Sequence, residues 1–130
     1  MGYRSDVLYV AEFEDEQARN AAWTAARLKF DVLKEISNFN MFSLFEEDCI
    51  VFEASSIKWY DNYPEVAETI KMFTEFFTEG FNANVKFVHI GEDLEDVTDE
   101  IIESPDHRDV PDWFYDQIYI QRTLVTPWRA

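Results

Sequence analysis

The chain has few of the residues that carry chemistry. Its 130 residues include one cysteine, two histidines and three glycines, and eleven Lys and Arg stand against twenty-seven Asp and Glu. A lone Cys49 cannot close an internal disulfide, and with two histidines it makes no zinc cluster. It lies in Cys49-Ile50-Val51-Phe52 and reads as a small buried hydrophobe. Gly2, Gly80 and Gly91 are too scattered to build a phosphate-cradling loop. No apolar run approaches the roughly 20 residues that a membrane span needs. Met1-Gly2-Tyr3-Arg4-Ser5-Asp6 has no long apolar stretch and no small-residue cleavage site, and it lacks the myristoylation spacing. The shortage of positive charge argues against direct contact with DNA or RNA, whose phosphates demand Lys and Arg. The expectation is a soluble intracellular protein with no membrane contact, no cofactor and no metal.

Acid and aromatic rings are what the chain does have. It carries twelve Phe, six Tyr and four Trp at a net charge of −16. Disordered acidic tails lack aromatics because they have nothing to bury, so this composition implies a folded core inside a strong negative field. The length suits one domain, 1–130. Charge is uneven: residues 1–36 hold seven acids and five bases, whereas residues 37–130 hold twenty acids and six bases. The densest stretch is 92–116, with eleven acids and one Arg.

Alternation from Tyr3 to Phe13 predicts a buried strand, with Val7, Tyr9, Ala11 and Phe13 on one face and Leu8 and Val10 on the other. Glu14-Asp15-Glu16 opens a helix predicted over 15–36, with Asp15 as N-cap. Its buried stripe is predicted to be Ala18, Ala21, Ala25, Leu28, Val32 and Ile36, and Ser37-Asn38-Phe39-Asn40 to stop it. Met41–Phe45 and Cys49–Ser55 form a hairpin around Glu46-Glu47-Asp48. Asn62-Tyr63-Pro64-Glu65 starts a second helix over 63–79, with Asn62 as cap, a stripe of Val66, Ile70, Phe73 and Phe77, and Gly80 at its end. Asn84–Ile90 is a strand. An acidic connection over 92–116 follows, with a helical turn through Val97–Glu103, and Ile118–Val125 is a last strand. The order is β-α-β-β-α-β plus a further C-terminal strand. This predicts an α+β fold of the split βαβ, ferredoxin-like kind, with a mostly antiparallel sheet and helices on one face.

No catalytic residue is assigned. His89 falls on a strand and reads as a packed or edge histidine; His107 falls in a polar loop. Neither lies in a nucleophile motif. Asp93, Asp96, Asp99 and Glu100 offer hard oxygen ligands, but the glycine and acid spacing of a calcium loop is missing. The acids are too numerous and hydrophilic to single out an acid–base pair. Glu68, Glu75 and Glu79 lie along one side of the second helix; alone they read as an ordinary wet helix face, and with the 92–116 block they would extend a row of carboxylates. DNA carries one charge per roughly 1.7 Å of axis, so such a surface imitates a phosphate track. Trp59 reads as core. Trp113-Phe114-Tyr115 reads equally as core or as aromatic anchor within a polar rim. The expected partner-binding residues are Glu92, Asp93, Glu95, Asp96, Asp99, Glu100 and Trp113.

Three stretches carry a resemblance: Gly2-Tyr3-Arg4-Ser5-Asp6-Val7, Lys58-Trp59-Tyr60-Asp61-Asn62-Tyr63-Pro64-Glu65-Val66, and Phe87-Val88-His89-Ile90-Gly91-Glu92-Asp93, with Arg122 on a late strand. Together they resemble a family of small acidic proteins of tailed bacteriophages and prophages. The resemblance implies a phage setting in the host cytoplasm. It also implies inhibition of a host enzyme or defence system, of the anti-CRISPR or anti-restriction type. The expected function is non-enzymatic binding of a basic, nucleic-acid-handling surface on a host protein complex. The alternative is an accessory or structural phage protein that homodimerises through a sheet edge, its acidity serving solubility.

Overall fold

The sheet is organised around the first strand in the chain. In the computed structural model, residues 3–34, 41–93, 95–121 and 123–128 are described. Strand β1 (Ser5–Glu12) pairs with β3 (Cys49–Ile57) on one side and β4 (Asn84–Ile90) on the other. Strand β2 (Phe42–Phe45) extends the sheet beyond β3, and β5 (Val97–Ile102) extends it beyond β4. The order is β2-β3-β1-β4-β5, with every neighbouring pair antiparallel. The fold is α+β. Glu46-Glu47-Asp48 turns the β2–β3 hairpin, with Glu46 in the left-handed region at φ 54°. A bulge marks the start of β1, where Ser5 faces Ile57 but Val7 faces Ala54.

Two expected elements are different. The helical turn predicted through Val97–Glu103 is the edge strand β5. Its β-branched Val97, Thr98, Ile101 and Ile102 favour extended backbone, and Asp99 and Glu100 between them are exposed, one on each face. The strand predicted over Ile118–Val125 is two short strands, β6 (Tyr119–Gln121) and β7 (Thr123–Val125), paired only with each other. The fifth strand of the sheet thus comes from the acidic block instead of the C-terminal segment.

Helix α1 (Glu16–Lys29) starts where expected: Asp15 accepts the Ala18 N–H at 2.8 Å. The helix is shorter than predicted. Phe30 is extended, and a 3₁₀ turn, Asp31–Lys34, follows. Ile36 and the Ser37–Asn40 stop lie outside the described residues. Val32, in the 3₁₀ turn, is buried as expected, but within α1 the stripe has the right period and the wrong phase. Arg19, Ala22 and Ala26 are buried, whereas Leu28 is 77 % exposed. Arg19 is the reason. Its stem lies against the sheet and its guanidinium donates to the carbonyls of Cys49 (3.3 Å) and Glu46 (3.4 Å), so a charged residue occupies the inward face.

The second helix runs as α2 (Pro64–Lys71), a π-helical turn (Met72–Phe76) and α3 (Phe77–Phe81). In the π turn the Phe77 N–H reaches back five residues to the Met72 carbonyl. This widened turn lets Met72, Phe73 and Phe77 all be buried. Ile70 of the expected stripe is half-buried at the core margin. Asn62 is not the cap. Tyr63 holds that place without a side-chain bond, and Pro64 in the first turn needs no N–H partner. Gly80 lies inside α3, and Asn82, left-handed at φ 56°, ends it.

Each face of the sheet has its own core. Val7, Tyr9, Ala11 and Phe13 meet α1, α2 and α3 through an aromatic cluster in which Tyr9 stacks on Phe73 (5.0 Å) and Phe87 (4.4 Å). Leu8, Val10, Cys49, Val51 and Val88 meet Phe114 and Ile118 on the other face. The one-turn helix α4 (Trp113–Asp116) therefore covers the face opposite the long helices, so not all helices share one side. Among the described residues no helix is long and apolar enough to cross a membrane.

Candidate acidic interface

The turn from β4 into β5 is built from carboxylates that the protein itself uses. Gly91 N–H donates to the Asp96 carbonyl (2.8 Å), and Asp96 N–H to the Asp93 carbonyl (3.0 Å). Glu92 accepts the backbone N–H of Arg4 at 2.6 Å. Asp96 accepts the Tyr3 hydroxyl at 2.7 Å, and that hydroxyl accepts the Asp93 N–H at 3.0 Å. The Asp93 N–H favours the Tyr3 phenolate, but the Asp96 carboxylate holding the proton and the surrounding negative charge outweigh it, so the pKa is raised. A Cβ on Gly91 would sit 2.1 Å from Asp96 Oδ2 and 2.3 Å from Tyr3 Oη, so only glycine admits this latch. Asp99 pairs with Lys86, a nearly buried lysine on β4. Of the expected binding residues in this stretch, Asp93, Glu95 and Glu100 are exposed and hold no side-chain bond among the described residues; Glu92, Asp96 and Asp99 are engaged.

One constellation here was not legible in the sequence. Ser5 Oγ and His89 Nε2 lie 2.9 Å apart, and His89 Nδ1 lies 3.8 Å from Asp96 Oδ1. The residue types match a nucleophile, a base and its orienting acid. The geometry instead describes a clasp. Ser5 is only 4 % exposed, the second contact exceeds hydrogen-bond length, and Asp96 is oriented by Tyr3. His89 is packed, as its strand position predicts. His107 is exposed and lies 3.3 Å from Glu103. Cys49 is fully buried, and burial together with neighbouring Asp48 pushes its thiol pKa far up.

Trp113 belongs to a different acidic group. It is half-buried, in edge contact with Phe45 (5.6 Å) and Phe114 (4.9 Å). Its open side lines a shallow concavity with Glu14, Asp15, Glu16, Glu46, Glu47 and Asp48. These acids come from the start of α1 and from the β2–β3 turn. They are brought together because Phe13 N–H bonds the Asp48 carbonyl (2.8 Å) and Arg19 bonds the Glu46 carbonyl. Among the described residues the carboxylates of Glu14, Glu16, Glu46 and Glu47 hold no hydrogen bond or ion pair. Two acidic triplets at hairpin and helix start were the available signal; their convergence on Trp113 needs the register of the sheet.

Of the row that Glu68, Glu75 and Glu79 could form on the second helix, Glu75 and Glu79 are exposed without a side-chain bond among the described residues, and Glu68 is engaged. Glu68 accepts the N–H groups of Val32 (2.8 Å) and Asp31 (3.4 Å), tying α2 to the 3₁₀ turn. Glu75 and Glu79 share a groove with Lys29 and Lys71, and Lys29 lies over the Phe76 ring at 5.1 Å. Trp59 packs on Phe52 (5.5 Å) and Tyr9 (6.4 Å), within the core margin as expected. Among the described residues no group of His, Cys, Asp and Glu is arranged to hold a metal ion. Comparison of the chain with protein-family models, with curated proteins and with solved structures finds no match.

Proposed function

We propose that the chain acts without catalysis, by setting carboxylates against a basic, nucleic-acid-handling surface of a partner protein in place of phosphates. The observation that carries this reading is the concavity beside Trp113, where six acids from two separate segments converge and, among the described residues, no lysine or arginine lines it. Four of those carboxylates serve no internal bond among the described residues, so their charge is available to a partner. Trp113 supplies an aromatic surface at the rim of that charge. Asp93, Glu95 and Glu100 add to the field from the other acidic stretch. The setting in a phage-infected host, and a role against a host defence system, rest on the resemblance of the Gly2–Val7, Lys58–Val66 and Phe87–Asp93 stretches. We read the first six elements as a split βαβ arrangement, with β3 seated between β1 and β2 and β5 appended.

The test is affinity capture from a bacterial lysate with the native chain, beside a variant with Glu14, Glu16, Glu46 and Glu47 changed to Lys and checked for folding. A partner captured by the native chain should associate more slowly with the variant and with a flatter salt dependence. An unchanged rate and salt response would make the acids a solubilising surface only.

A further inference from the structure

We propose that the outer edge of β5 accepts an extended basic segment of the partner as an added strand. This deepens the reading above and rests on it. Strand β5 closes one end of the sheet and, among the described residues, pairs only with β4. Its outward N–H and C=O groups therefore have no strand partner, and open edges are where peptides add by main-chain hydrogen bonding. Side chains along the edge alternate, with Val97, Asp99 and Ile101 on one face and Thr98, Glu100 and Ile102 on the other. Asp99 is held by Lys86, so the free charge meeting an incoming strand is that of Glu100. Val97 is 47 % exposed and offers an apolar contact on the opposite face.

These features select one occupant: an extended segment with Lys or Arg opposite Glu100 and an apolar residue against Val97. A second copy of the chain fits poorly. Pairing β5 with β5 sets acid against acid across the new ladder, and like charges directly opposite are destabilising. The charge that repels a copy attracts a basic strand.

The probe is a synthetic peptide of alternating valine and lysine, about six residues long, the usual strand length. At low salt it should slow amide exchange at the outward positions of Val97–Ile102. Methylating its alternate backbone nitrogens keeps every charge but removes edge hydrogen bonds, and should weaken binding about tenfold or more. Glu100→Lys should reverse the preference toward a valine–glutamate peptide. Equal binding after methylation, or no slowing of exchange in β5, overturns the proposal and leaves charge-driven docking elsewhere intact. No binding of the lysine peptide, or protection of β5 by self-association alone, also overturns it. The wider reading fails separately, if the four-lysine variant at Trp113 binds the captured partner unchanged.

Discussion

The two acid-rich regions differ in what their carboxylates already hold. Between Gly91 and Ile102, Glu92 holds a backbone N–H, Asp96 a tyrosine hydroxyl and Asp99 a buried lysine. Around Trp113, only Asp15 and Asp48 of the six lining acids have a side-chain bond among the described residues. Local density of acid in the sequence is therefore a poor guide to display. The longer stretch spends half of its six acids on the fold, and the two triplets leave four of their six without an internal bond among the described residues.

The contrast predicts that acids in the first region stabilise the chain and acids in the second do not. The core sets the upper limit. Phe73, fully buried and stacked on Tyr9, should cost about 3–5 kcal/mol as Phe73→Ala, read from chemical denaturation. Asp99→Ala leaves Lys86 buried without its partner and should cost about 2–3 kcal/mol, below the full burial figure because Asp99 is 41 % exposed. Gly91→Ala forces apart the Tyr3–Asp96 bond and should cost about 1–2 kcal/mol; Tyr3→Phe in the same background should then add little.

Alkali offers a weaker probe of the same side. Burial, with the charge of Glu100 behind it, raises the Tyr9 pKa above its ordinary 10.0. The unfolded chain loses that proton near pH 10 while the fold keeps it, so stability falls as pH rises past that point. Tyr9→Phe should make the decline above about pH 10 shallower, with the parts due to Cys49 and Tyr3 remaining. The smallest effect is expected at Trp113. Replacing Glu14, Glu16, Glu46 and Glu47 by Lys should move stability by no more than about 0.5 kcal/mol per site. A large loss there would erase the distinction between the two regions.

Much of the sheet was legible because two-residue alternation is a local signal. The faces of β1, the hairpin turn at 46–48 and the bounds of β4 follow from it. The Asp15 cap is local too. What failed needed distant partners. Arg19 turns inward only because the carbonyls of Cys49 and Glu46 await it, and polarity alone placed the stripe of α1 one step off. Val97–Ile102 has mixed periodicity, and it is β4 alongside that makes it a strand. Trp113 was grouped with the acids of 92–116, but the acids beside it are those of Glu14–Glu16 and Glu46–Asp48.

The place of β1 has a consequence for how the chain is made. It is synthesised before both of its neighbours, yet it is the middle strand, and those neighbours are drawn from around Phe52 and Phe87. Val7, Leu8, Tyr9 and Val10 must wait for both flanks to be synthesised before either ladder is complete. Long sequence separation slows folding and leaves an apolar strand uncovered meanwhile. An acidic chain gains during that interval, since nascent copies repel one another while their central strands are bare.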